Sequence, residues 1–170
     1  MESKGNLVFL GMMGSGKSSI GYIVAKKLKL NFVDIDNEIE KELGINIKKI
    51  FETKGEDFFR KFEEKITLKK LKLNSTVISL GGGAFMNKNI RKEVLKSHIS
   101  FWLNWDNEIL LSRIKKNNKR PLVQNATNSK LIELMNKRSN IYSKALYEIK
   151  CDNLTKNEIL DKILEIYETD

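Results

Sequence analysis

Gly11-Met12-Met13-Gly14-Ser15-Gly16-Lys17-Ser18 matches G-x-x-x-x-G-K-[ST], the pattern of a phosphate-binding loop. Its glycines let the backbone turn tightly and bring its N–H groups close to an anion. A helix starting here aims its free N–H groups and positive dipole end at the same point. Lys17 adds a charge for the β- and γ-phosphates, and Ser18 offers a hydroxyl to Mg²⁺. The flanks fit this reading. Leu7-Val8-Phe9-Leu10 is a short apolar run of strand type, and residues 20–28 read as a helix with Ile20, Ile23, Val24 and Leu28 on one side. A chance glycine-rich turn would not need a strand before it and a helix after it. The rest of the chain must therefore say which phosphate acceptor the nucleotide site serves.

The 170 residues are the size of one domain with a proper core. With 41% hydrophobic and 31% charged residues, the expected class is soluble and globular. No apolar run approaches the roughly 20 residues needed to span a membrane. Met1 to Asn6 runs straight into the first strand and leaves no room for a signal peptide. Cys151 is the one cysteine, which excludes an internal disulfide and agrees with a reducing cytosol. It reads as a strand residue, and His98 as a capping or surface residue ahead of an apolar strand. The net charge of +9 invites a nucleic-acid reading. However, the excess is lysine scattered over helices, without the interleaved aromatic residues of a stacking platform. A positive field equally suits ATP and a second anion.

Strand-like and helix-like segments alternate to the end with no linker, which predicts a parallel α/β sheet in a single domain. Asn31-Phe32-Val33-Asp34-Ile35-Asp36 reads as a second strand ending in two carboxylates. Alternate strand residues share a face, so Asp34 and Asp36 are expected to project together at the ligand-binding edge. One would serve a metal's water shell, the other a substrate hydroxyl; the blander reading is that Asp36 caps a helix starting near Asn37. A short helix over 45–51, a turn at Lys54-Gly55 and a longer helix through Phe58, Phe59, Phe62 and Ile66 follow. Arg60 and Glu63 are neighbours on that helix, and spacing alone favours a surface ion pair with Glu63 or Glu64. Residues 76–80 are a buried strand running into Gly81-Gly82-Gly83, which would leave backbone N–H groups open to a ligand. Residues 99–103 form the fourth strand and 106–114 its helix. Lys115 to Pro121 reads as a basic mobile loop over the phosphates, carrying Arg120. A helix over 127–146 places Arg138 and Tyr142 on one side. A fifth strand over 147–151 and a closing helix over 159–167 complete the chain.

Taken in order, these motifs resemble the shikimate kinases over nearly the whole chain. The resemblance rests on the phosphate loop, on Phe32-Val33-Asp34-Ile35-Asp36, and on Ile50-Phe51-Glu52 followed by Gly55-Glu56-Asp57-Phe58-Phe59-Arg60 and Glu63. It rests further on Ser79-Leu80-Gly81-Gly82-Gly83-Ala84, Arg120-Pro121-Leu122 and Arg138-Ser139-Asn140-Ile141-Tyr142. It implies a three-layer fold like that of P-loop nucleoside-monophosphate kinases, with a five-stranded parallel sheet. It also implies transfer of the ATP γ-phosphate to the 3-hydroxyl of shikimate with Mg²⁺. Asp36 would be the base and hold the shikimate hydroxyls, and Lys17 and Arg120 would act on the transferring phosphate. Arg60, Arg138, Gly82 and Gly83 would hold the carboxylate and ring, with Phe51, Phe59 and Glu63 completing the pocket. Gly14, Ser15, Gly16, Lys17, Ser18, Ser19, Arg113 and Arg120 would bind ATP, with Arg113 against adenine. Ser18 and Asp34 would serve the magnesium. Residues 37–73 would form the substrate-binding subregion and 115–125 the lid. The expected form is a cytoplasmic monomer that binds shikimate and ATP, but neither nucleic acid nor membrane. Ser19 and Tyr22 depart mildly from the family pattern, and residues 151–155 match it weakly. Another small-molecule or nucleotide kinase of the same fold is the nearer rival, and an RNA-binding P-loop module the more distant one.

Overall fold

The apolar run Leu7–Leu10 (β1) occupies the middle of the sheet, and its four residues are all buried. The computed structural model describes residues 5–116 and 126–169. Met1 to Lys4, Asn117 to Asn125 with the expected lid residue Arg120, and Asp170 lie outside the described residues. After β1 come α1 (Lys17–Leu28), β2 (Asn31–Asp34), α2 (Ile35–Leu43), α3 (Ile47–Leu71) and β3 (Thr76–Ser79). A 3₁₀ turn (Ala84–Met86) leads to α4 (Lys88–Ser97), β4 (Ile99–Asn104), α5 (Asn107–Lys116), α6 (Asn128–Tyr142), β5 (Tyr147–Lys150) and α7 (Lys156–Thr169). The five strands are parallel in the order β2-β3-β1-β4-β5. Parallel strands require crossovers, and the helices that make them cover both faces.

The strand alternation sorts the core into two layers. Val8, Leu10, Ile78, Leu80 and Trp102 pack on one face with α2 to α6. Leu7, Phe9, Val77, Phe101 and Leu103 pack on the other with Ile20 and Val24 of α1 and Ile159 and Ile163 of α7. The C-terminal ends of β1, β2 and β3 therefore open on one edge, where such sheets bind ligands.

Two expectations are corrected. The second strand stops at Asp34, not Asp36: Asp34 caps α2 by accepting from the Asn37 N–H at 3.1 Å, and Asp36 lies in the helix's first turn. The carboxylate that satisfies the orphan N–H ends the strand two residues early. Alternation along a strand is thus not what relates the two aspartates. Second, α4, passed over in the sequence, is capped by the Asn87 side chain and buries Ile90 and Val94 four residues apart. The turn at Gly55 is real but brief, a single residue at φ 81° interrupting α3. Cys151 is fully buried just beyond β5, and burial pushes its thiol up to about 12.

The opposite edge of the sheet is tied by Asn6. Its side chain donates to the Leu71 and Leu73 carbonyls (3.0 and 2.6 Å) and accepts from the Thr76 N–H (3.1 Å). Its own N–H donates to Nδ1 of His98, the residue that ends α4, at 3.2 Å. A protonated ring could not accept there, and burial lowers the His98 pKa below its ordinary value despite the opposing pull of Glu93. The folded chain thus binds this proton more weakly than the unfolded chain does. The stability His98 contributes is fully present above the unfolded value of about 6.5 and is lost as pH falls through the lower folded value. Between pH 7.5 and pH 5, the wild type should lose more melting temperature than His98→Asn. Equal losses in the two proteins would remove His98 as the source.

Candidate active site

The phosphate loop closes β1 onto α1. Gly14 and Gly16 have φ of 78° and 89°, the left-handed region that a side chain disfavours. Ser15 N–H donates to the Met12 carbonyl at 3.1 Å to close the turn. Lys17 is buried, and its Nζ donates to the Gly11 and Met12 carbonyls at 2.9 and 3.0 Å. The Ser15 hydroxyl is buried with no partner among the described residues, so the loop holds an unused hydrogen-bonding group facing a tight turn. Ser18 and Ser19 are exposed at the start of α1. Ser18 Oγ donates to Asp34 Oδ2 and lies 3.3 Å from the hydroxyl of Ser79, the buried last residue of β3. This trio of hard oxygens suits Mg²⁺, which accepts one or two carboxylates and keeps waters and phosphates for the rest. No group of three His, Cys, Asp or Glu occurs among the described residues, so an all-protein metal cage is not built there.

Beside the loop is a cleft lined by Asp36, Phe51, Phe59, Arg60, Glu63, Gly82, Gly83 and Arg138. These residues come from α2, α3, the turn after β3 and α6. The structure also puts Met13 and Ile47 there, which the sequence reading did not include. Met13 is one of the variable positions of the phosphate loop, so the loop is itself a wall of the cleft. Phe51 and Phe59 pack against each other with ring centroids 4.7 Å apart, and the Arg60 guanidinium lies over the Phe59 ring at 5.2 Å.

The charges in the cleft are arranged unequally. Arg60 donates to Glu63 at 2.8 Å and to the exposed Glu56 at 3.3 Å. Glu63 is 2% exposed, so the simple surface ion pair expected from spacing is instead a pair with one buried member. Glu64 takes no part, bonding Asn87 and Asn89. Burial pushes the Glu63 carboxyl up and Arg60 pulls it down, while nearby Asp36 adds to the rise. Arg138 is 6% exposed and forms no ion pair among the described residues. Its Nη1 reaches Met12 Sδ at 3.6 Å. Tyr142, whose hydroxyl is pushed up to about 12 by burial, donates to the Gly82 carbonyl.

The three glycines are explained by space. None has a positive φ. A Cβ at Gly81 would stand 2.5 Å from Glu63 Oε1 and 2.8 Å from Asp36 Oδ1, and one at Gly83 2.5 Å from Arg60 Nη1. Gly82 faces Arg138 Nη1 and the Met13 nitrogen, each 3.4 Å from such a Cβ.

A second cavity lies on the other side of the loop, lined by Ser15, Gly16, Ser19, Trp105, Arg113, Leu154 and Lys156. Arg113 reaches it from α5, with its guanidinium carbon 3.8 Å from the centre of the Trp105 ring. Lys156 Nζ donates to Ser19 Oγ at 2.7 Å. Sequence reasoning misses Trp105 and Lys156, which are far in the chain from the loop they touch and carry no local pattern, and it gives Ser79, quoted only within the glycine motif, no role beside Ser18.

A phosphate loop at the end of the central parallel strand, with a charged cleft on one side and an arginine-lined cavity on the other, defines a P-loop kinase of a small acceptor. The shikimate kinase family model matches residues 13–168. The shikimate kinase of Caldicellulosiruptor bescii is 39% identical over 163 residues, covering 95% of each chain. That of Bacillus subtilis is 39% identical over 172 residues, covering 94% of this chain and 87% of its own. The chain belongs to the shikimate kinase family. The shikimate kinase from Acinetobacter baumannii, solved in complex with shikimate, superposes with a TM-score of 0.93 at 30% identity, covering 99% of this chain and 95% of its own. A gluconokinase from Sinorhizobium meliloti shares the fold alone, with a TM-score of 0.62 at 17% identity.

Gly83→Ala should separate site from scaffold. The atoms a Cβ would meet are the free end of Arg60, so the side chain can move and the core need not. The melting temperature should fall by only a few degrees, since what must move is a side-chain end and not backbone. The KM for the acceptor should rise, with that for ATP unchanged. A large loss of stability would mean that the glycine serves packing alone.

Proposed function

We propose that the chain transfers the γ-phosphoryl group of ATP to the 3-hydroxyl of shikimate, giving shikimate 3-phosphate and ADP in chorismate and aromatic amino-acid biosynthesis. The observation that carries the acceptor assignment is Arg138, a buried guanidinium beside the phosphate loop with no carboxylate paired to it among the described residues. A buried cation needs a counter-ion. Shikimate brings one carboxylate and several hydroxyls, and an arginine fork binds a carboxylate through two parallel hydrogen bonds.

On this reading, Arg60 and Arg138 hold the carboxylate. Glu63 fixes the Arg60 plane, and the Gly82-Gly83 backbone, Phe51 and Phe59 enclose the ring. Asp36 binds the ring hydroxyls and accepts the proton of the attacking one. The hydroxyl oxygen bonds to the γ-phosphorus, and the β–γ bridging oxygen leaves on ADP with the bonding pair. Gly14, Ser15, Gly16, Ser18 and Ser19 cradle the phosphates. Lys17 exchanges its two carbonyl partners for phosphate oxygens, and Arg120 meets the charge that develops on the transferring group. Mg²⁺, held by Ser18 and through water by Asp34, would neutralise phosphate charge. Residues 37–73 form the acceptor-binding subregion and 115–125 the lid of a single-domain cytoplasmic monomer. None of the helices among the described residues is long and apolar enough to cross a membrane.

The test is an ADP-release assay over a panel of acceptors. Shikimate should be preferred strongly over shikimamide, gluconate and nucleoside monophosphates; equal use of the amide would show that no carboxylate is read. Arg138→Ala should raise the shikimate KM by roughly 30-fold or more with little change for ATP, and Arg138→Lys should rescue it poorly. Arg60→Ala is the less clean variant, because it also strips buried Glu63 of its partner. Lys17→Ala should lower kcat by about two decades or more at a normal melting temperature. Activity within a few-fold of wild type would remove Lys17 from phosphoryl transfer.

A further inference from the structure

Trp105 touches two parts of the nucleotide side that no local motif connects. It follows β4 directly, and its half-buried ring packs against both core layers, which fixes its plane. Its indole N–H donates to the carbonyl of Ser15, in the middle of the phosphate loop, at 2.9 Å. Its face carries the Arg113 guanidinium at 3.8 Å, within the range of a strong cation–π contact. Arg113 is also held from a second direction, where its Nη1 donates to the Gly14 carbonyl in a long contact of 3.5 Å. Both Trp105 and Arg113 line the cavity beside the loop.

We propose that Trp105 is a positioning residue for the nucleotide, presetting the plane of Arg113 as a platform for the base while holding the Ser15 carbonyl so that the loop is shaped before phosphate arrives. The inference rests on the reading that this cavity takes the nucleoside of ATP. An arginine on an open surface samples many rotamers, and a ligand that stacks on it must first order it. Here the ordering is done by an aromatic face held in the core. The Ser15 bond acts on the other end of the nucleotide. It occupies a carbonyl that would otherwise be free to turn toward the phosphates, where its negative end would repel them.

The two actions separate by substitution. Trp105→Phe keeps a ring beneath Arg113 but removes the N–H. Trp105→Leu removes both. The ATP KM should rise about fivefold in the first, the loss of one hydrogen bond. It should rise about twentyfold in the second, as the platform is lost as well. The shikimate KM should stay within about twofold in both. Inorganic tripolyphosphate, which has no base, should weaken as a competitive inhibitor by the same factor in both variants, since only the loop bond concerns it. A shikimate KM that rises in step with that for ATP would overturn the proposal, as would a fall in melting temperature with unchanged ATP KM. Arg113→Ala distinguishes the underlying reading. If it leaves ATP affinity intact, the cavity does not hold the base. If it weakens ATP while Trp105→Leu does not, the cavity reading stands and Trp105 has no positioning role.

Discussion

The backbone of Gly81 and Gly83 approaches the side-chain ends of Asp36, Glu63 and Arg60 so closely that a Cβ would force them to shift, and Gly82 lies against Arg138. The shape of the acceptor cleft depends on that approach. The turn follows β3 beside the phosphate loop of β1, so Gly82 meets the Met13 nitrogen on one side and Arg138 on the other. Nucleotide loop and acceptor cleft therefore share a wall made of main chain. Tyr142 pins that wall by donating to the Gly82 carbonyl, and its high pKa keeps it a donor. A main-chain wall costs no side-chain entropy on binding, and parallel-sheet pairing behind it keeps it rigid.

Within the cleft, the guanidinium groups of Arg60 and Arg138 face the carboxylates of Asp36 and Glu63, and of the two arginines only Arg60 is ion-paired among the described residues. Glu63 is buried deeply enough that burial raises its carboxyl, and Arg60 keeps it compensated. A pair of this kind is weak evidence for stability, because desolvation cancels much of the Coulombic gain. Its consequence here is orientation: the Arg60 guanidinium donates through Nη1 to Glu63 and through Nε and Nη2 to Glu56, and lies over Phe59. Arg138 reaches a thioether and a tyrosine and feels the charge of Glu63, but no carboxylate is ion-paired with it among the described residues.

Most elements were legible in sequence because their signals are local. The phosphate loop declares itself by glycine spacing, and β1, β3 and β4 by short, mostly apolar runs. The misses have local causes too. The Asn31–Asp36 run looked like one strand because Ile35 continues its apolar alternation, whereas the Asp34 carboxylate turns the chain into α2. The helix α4 carries many lysines and only two buried apolar residues, so its apolar face is faint. To the reading of Gly81 to Gly83 as open backbone the structure adds the close approach of charged side chains, which no local pattern announces.

By itself, the sequence determined the class of chemistry: a loop that can bind phosphate in only one way, strands and helices in alternation, and an ordered set of motifs shared with one kinase family. Those properties are written in residues that are neighbours along the chain. Only the tertiary structure decided which charges meet. Arg60 could pair with Glu56, Glu63 or Glu64 by helical spacing, and the cleft chose the first two because Glu64 turns to Asn87 and Asn89. Arg138 and Met12, Trp105 and Ser15, and Lys156 and Ser19 are about ninety to about one hundred and forty residues apart, and each pair is joined across the sheet edge. Contacts of that range depend on how the strands are ordered and how the helices pack over them, and no window of sequence contains that information.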